Sequence, residues 1–155
     1  MKKIESGRSM IEMLGVLAII GVLSIGGLAG YTMAMNRYRA NSIADYAMRC
    51  ATVAQTNGLG YRVTTGDCNG NNLLNEDAPS FSTGCTVAAS TETGAQELDC
   101  TVACTGIQEP VLDVLVAKFE GQNVGGVEFT KGTVASGKGP ATFTFKPATG
   151  TAATS

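Results

Sequence analysis

The sequence contains no histidine and no tryptophan, and only four tyrosines and five phenylalanines in 155 residues. Without histidine it lacks the side chain most used as a general base near neutral pH, and also the commonest metal ligand. No nucleophile elbow or carboxylate pair takes its place, so neither catalytic residues nor a cofactor is expected, and an exported enzyme is the weakest reading. Few aromatics in a Thr-, Ser-, Gly- and Asn-rich chain imply a small core. Cations are scarce beyond residue 49: residues 50–155 hold five Lys or Arg against ten Asp or Glu. Phosphate backbones need clustered cations, so no nucleic-acid partner is expected.

The longest absence is of charge. From Met13 to Asn36 there are 24 residues without a charged side chain, which as a helix would extend about 36 Å, enough to cross a bilayer. A secretory h-region is shorter, about 7–15 residues, and ends at small side chains before the cut. In "LAGY" the large Leu28 occupies a position that prefers a small one. An uncleaved membrane helix over about 13–36 is therefore expected, with membrane lipid as its first partner. Glu12 stands at the head of this run. A carboxylate in hydrocarbon costs about 2.5–3.5 kcal/mol on insertion scales, so it has either an interfacial position or a partner. Arg8, nearby, allows the first explanation, in which Glu12 snorkels to the interface.

All five cysteines (Cys50, Cys68, Cys85, Cys100 and Cys104) lie beyond the apolar run. A small core with this many cysteines implies disulfides and an oxidising, exported environment. Two bridges and one leftover thiol are expected, and fifteen pairings satisfy that count. Cys100-x-x-x-Cys104 alone lacks the further ligands of a zinc site, and no metal site is expected. "DCNGNNLLNED" places Asp67, Asn69 and Asn71 at alternate positions as a calcium loop does, but Asn72 stands where that loop needs glycine and Ala78 where it needs Glu. A turn-rich surface loop is the better reading.

After Tyr31 the helix should continue, since no proline occurs and the next glycine is Gly58. Ala40, Ile43, Ala47, Cys50 and Ala54 recur at three- and four-residue spacings and form one narrow apolar stripe, suited to packing on a sheet. "GYRVTT", "CTVAAS", "VGGVEFT" and "ATFTFK" read as strands. "EPVLDVLVAKFEG" reads as a helix, with Pro110 in its first turn and Gly121 after its end. The expected fold class is α+β: a long N-terminal helix on a small antiparallel sheet. The tail "PATGTAATS" is low in complexity and expected to be loose.

One constellation in the first thirty residues resembles a known family. "MKKIESG" is a short basic leader ending in Gly7, and "RSMIEMLGVLAIIGVL" begins an apolar stretch with Glu12 as its fifth residue and Gly21 as its fourteenth. This resembles the type IV prepilins and the pseudopilins of type II secretion, over residues 1 to about 55. The second helix followed by two strands resembles the type IVb head more than the IVa one. The resemblance implies a pilin-like ladle, with a leader at 1–7, a helix at 8–57 and an extracytoplasmic head at 58–155. It also implies a prepilin peptidase cutting between Gly7 and Arg8, methylation of the new amine on Arg8, and Glu12 pairing with a neighbouring subunit's amine to set register. Gly21, Gly26 and Gly30 are candidate packing positions, because small residues let helix backbones approach. The implied partners are copies of the same chain in a helical filament, the peptidase, and inner-membrane assembly machinery. The implied location is the bacterial inner membrane, then an extracellular pilus or periplasmic pseudopilus. Two departures stand: Arg8 replaces the family's usual Phe or Met, and Ala29 stands where a helix-kinking proline is common. A minor pilin, a pseudopilin and a membrane-anchored binding module that never polymerises remain the alternatives.

Overall fold

The computed structural model describes residues 6–57, 63–69, 73–74, 76–90, 99–119 and 126–146, with side chains from Met10 onward in the first helix. Helix α1 runs Ser6–Asn57 without interruption. Strands β1 (Gly66–Asp67), β2 (Gly84–Ala89) and β3 (Cys100–Gln108) follow, then helix α2 (Glu109–Phe119) and strands β4 (Val127–Lys131) and β5 (Lys138–Phe145). The fold is α+β, as the residue pattern implies. The chain divides into two compact units, Met1–Met35 and Asn36–Ser155. The division falls within α1 rather than at its end, because the helix from Ala40 onward contributes to the core of the second unit.

The second unit is a five-stranded antiparallel sheet in the order β1-β2-β3-β5-β4. Its core lies under one sheet face and includes the stripe Ala40, Ile43, Ala47, Cys50 and Ala54, each 0% exposed. Ala44, Tyr46 and Ala51 are buried too, so the buried face is wider than the stripe alone. Small residues occupy most of these buried positions. Tyr46 is the large exception, and its hydroxyl donates to the Glu76 carbonyl at 3.1 Å, which meets the polar requirement of a buried phenol.

α2 buries Val111, Leu112, Leu115 and Phe119, the three- and four-residue spacing of one helix face. Phe143, on β5, is 0% exposed. Its ring lies 5.8 Å from Phe119, 5.2 Å from Phe129 and 6.4 Å from Phe145. Four of the five phenylalanines therefore converge at one place.

The structure differs from the sequence expectations at three strands. β3 lies outside the four expected strands, although Cys100, Val102 and Cys104 alternate inward against Thr101, Ala103 and Thr105. Its inward residues are cysteines as much as hydrophobes, which weakens the alternation signal. "GYRVTT" does not continue as a strand: residues 63–65 are irregular, and the two-residue β1 starts at Gly66. Residues 60–62 of that stretch, like the tail at 147–155, lie outside the described residues. β5 begins at Lys138, three residues before the expected "ATFTFK", because the turn at Ser136–Gly137 brings Lys138 back beside Ala135.

Candidate functional site

The candidate site is the N-terminal stretch of α1. Every large apolar side chain from Met10 to Leu28 is more than half exposed, and none of the apolar window is buried against the rest of the chain. Such side chains lose about 1.5–3 kcal/mol each when left in water instead of an apolar phase. For the twelve of them the sum is roughly 20–35 kcal/mol. A soluble monomer does not carry an apolar surface of that extent, which marks contact with a membrane or with protein. α1 is long and apolar enough to cross a membrane, and so is compatible with membrane anchoring.

Two hydroxyls of the charge-free run bond within the helix. Ser24 Oγ donates to the Ile20 carbonyl at 2.7 Å, and Thr32 Oγ1 to the Ala29 carbonyl at 2.9 Å. Hydrocarbon offers no other acceptors, so this internal bonding suits a spanning helix. α1 is helical through Gly26, Gly27 and Gly30, with Ala29 where a kinking proline would stand. A Cβ added at Gly15, Gly21, Gly26, Gly27 or Gly30 would meet nothing within 4 Å. The glycines therefore serve no packing need inside the single chain, and any need for small residues there lies between chains.

Gly7 and Arg8 fall in the first turn of α1, whose bounds begin at Ser6. The helical assignment thus runs through the expected cut. The Arg8 side chain lies outside the described residues. Glu12 is exposed, just before the charge-free run. The leader residues 1–5 are also outside the described set.

The cysteines resolve into one of the fifteen pairings. Cys50 bonds to Cys68 and Cys85 to Cys104, while Cys100 is a buried free thiol. The first bridge ties α1 to the segment just after β1, and the second joins residues directly opposite in β2 and β3. The two bridges lie side by side, since the Cys68 amide donates to the Cys85 carbonyl at 2.9 Å. Burial, then the neighbouring Asp99 charge, raises the Cys100 thiol to about 11, against a lowering hydrogen bond from Gln55. A thiol held protonated in this way is a poor nucleophile. In the stretch compared with a calcium loop, Asp67 sits in β1 opposite Thr86, Asn69 follows in the turn, and Asn71 lies outside the described residues. Among the described residues no three Cys, Asp or Glu side chains converge as a metal cluster.

No family model, curated protein or solved structure matches the chain.

Proposed function

We propose that this chain is the structural subunit of a type IV pilus-like filament, held in the inner membrane by α1, cut after Gly7 and polymerised through its N-terminal helix. One observation carries the reading: an apolar helical surface from Met10 to Leu28 that the chain itself leaves uncovered, headed by the Gly7-Arg8…Glu12 spacing of a prepilin. Lipid covers that surface in the membrane, and identical helices cover it in a filament, so transfer from one to the other keeps the apolar side chains out of water. In the bundle Glu12 requires a countercharge, because an ion buried without one is destabilising by about 3–5 kcal/mol. The new amine on Arg8 of an adjacent copy supplies it, and the pairing sets axial register. Gly21, Gly26 and Gly30 support the same reading, since each leaves room for a neighbouring backbone.

The test is the mature N-terminus together with assembly of a Glu12 variant. Mass spectrometry of the membrane-extracted chain is expected to show a start at Arg8 with a methylated amine. Glu12→Val is expected to be cut normally yet to give at least tenfold fewer filaments. A chain retaining Met1 would instead indicate an anchored module that does not polymerise. Wild-type filament yield from Glu12→Val would refute the register role of the carboxylate.

A further inference from the structure

A separate feature lies on the second unit, at the end of β3. Residues 80–83 and the β3 bulge border an open hollow of about 230 Å³, lined by Phe81, Thr83, Gly106, Gln108 and Lys138 with Ser80 and Ser82. Its floor depends on Gly106. That residue has φ +76°, within the register shift between Cys104 and Ile107, and a Cβ there would collide with Thr83 Oγ1. The Thr83 amide donates to the Thr105 carbonyl at 2.8 Å and holds the loop against the bulge.

Two cations flank the hollow. Lys138 is the register partner of Gln108, so the two side chains stand together on the sheet. Arg39, from α1, donates Nη1 to Gln108 Oε1 at 3.0 Å, and its guanidinium carbon lies 6.0 Å from the Phe81 ring centroid. Those contacts hold the guanidinium in place and use one of its five N–H groups, leaving others for a ligand. Among the described residues no carboxylate pairs with Arg39 or Lys138, whereas Arg49, Lys131 and Lys146 each have an acidic partner. Glu109, the next residue along, is exposed, and its amide donates to the Gly137 carbonyl at 3.0 Å. In a chain of net charge −2, a held guanidinium and an exposed lysine at one polar hollow select for an oxyanion.

We propose that this hollow binds the carboxylated pyranose ring of an acidic saccharide. The carboxylate faces Lys138 and Arg39. The ring hydroxyls exchange hydrogen bonds with Ser80, Thr83 and the Gln108 amide, and the C–H face meets Phe81. The volume is below the roughly 300–1,000 Å³ of drug-sized pockets, which suits one sugar residue. An extended peptide would need an unpaired strand edge or an apolar pocket. β5 is interior to the sheet, and β3 lacks a β2 partner only over residues 106–108, too short an edge for an added strand. The inference does not depend on polymerisation.

The experiment titrates the full-length protein in detergent micelles with trigalacturonate, the neutral galactose trisaccharide, and inorganic phosphate. Trigalacturonate is expected to bind saturably at one site, at least tenfold more tightly than either of the others, and more weakly as salt is raised. Lys138→Met and Arg39→Gln are each expected to weaken it at least tenfold at an unchanged thermal midpoint. Lys118→Gln is the control at a lysine bonded to Asn41 elsewhere, and should bind as wild type. Equal affinity for the neutral trisaccharide, phosphate binding as tight as trigalacturonate, or wild-type affinity in Lys138→Met would each overturn the proposal. So would the absence of saturable binding.

Discussion

Removing either disulfide is expected to destabilise the second unit by a similar amount, although the two bridges join different kinds of element. Cys50–Cys68 and Cys85–Cys104 span sequence separations of 18 and 19 residues. The chain-entropy relation gives about 3 kcal/mol for closing loops of this length in the unfolded state. Replacing both cysteines of a bridge by alanine also leaves small voids in a buried region, bringing the total to about 3–5 kcal/mol per bridge. The two loops do not overlap in sequence, so their effects should add. Together they amount to about 6–10 kcal/mol, against the roughly 5–15 kcal/mol that stabilises domains of ordinary size. The assay is urea unfolding of the full chain in micelles, followed by tyrosine fluorescence. With a slope of about 1–2 kcal/mol per M, each alanine pair should lower the midpoint by roughly 2–4 M. The doubly depleted chain should be largely unfolded without urea. A loss below about 1 kcal/mol for Cys85→Ala/Cys104→Ala, beside a full loss for Cys50→Ala/Cys68→Ala, would refute the reasoning. It would show that the β2–β3 ladder already keeps those strands together when the chain unfolds.

Three further outcomes are expected. The native protein should take up almost no iodoacetamide at pH 7.5 and one equivalent after denaturation, because the Cys100 thiol is buried and raised to about 11. Since the native state holds that proton more tightly, the stability it contributes is intact below the unfolded-state pKa of about 8.5 and declines as pH rises from there through about 11. Unfolding midpoints measured across that range should fall less in Cys100→Ala, and an unchanged slope would count against the thiol as their source. Phe143→Ala should destabilise by about 3–5 kcal/mol in the same urea assay, since its ring meets Phe119, Phe129 and Phe145. A loss under about 1 kcal/mol would mean that the aromatic cluster is not packed as described.

Local pattern alone determined α1, its charge-free run, its buried stripe and α2. The spacing of Ala40, Ile43, Ala47, Cys50 and Ala54 is a property of one helix, and periodicity within a segment survives whatever the segment packs against. The same holds for Glu12 at the head of the apolar run, which needs no tertiary contact to be noticed. Cysteine count determined two bridges and a leftover thiol. Which thiol remained, and which cysteines met, depended on the register that sets Cys85 opposite Cys104, a relation between strands that neither strand carries in its own residues. β3 emerged only in the sheet, where its cysteines serve as core side chains. The hollow beside Gly106 likewise draws on α1, the 80–83 loop, β3 and β5. Residues from four separate stretches of chain come together there because backbone pairing fixed their positions, and no single stretch contains that information.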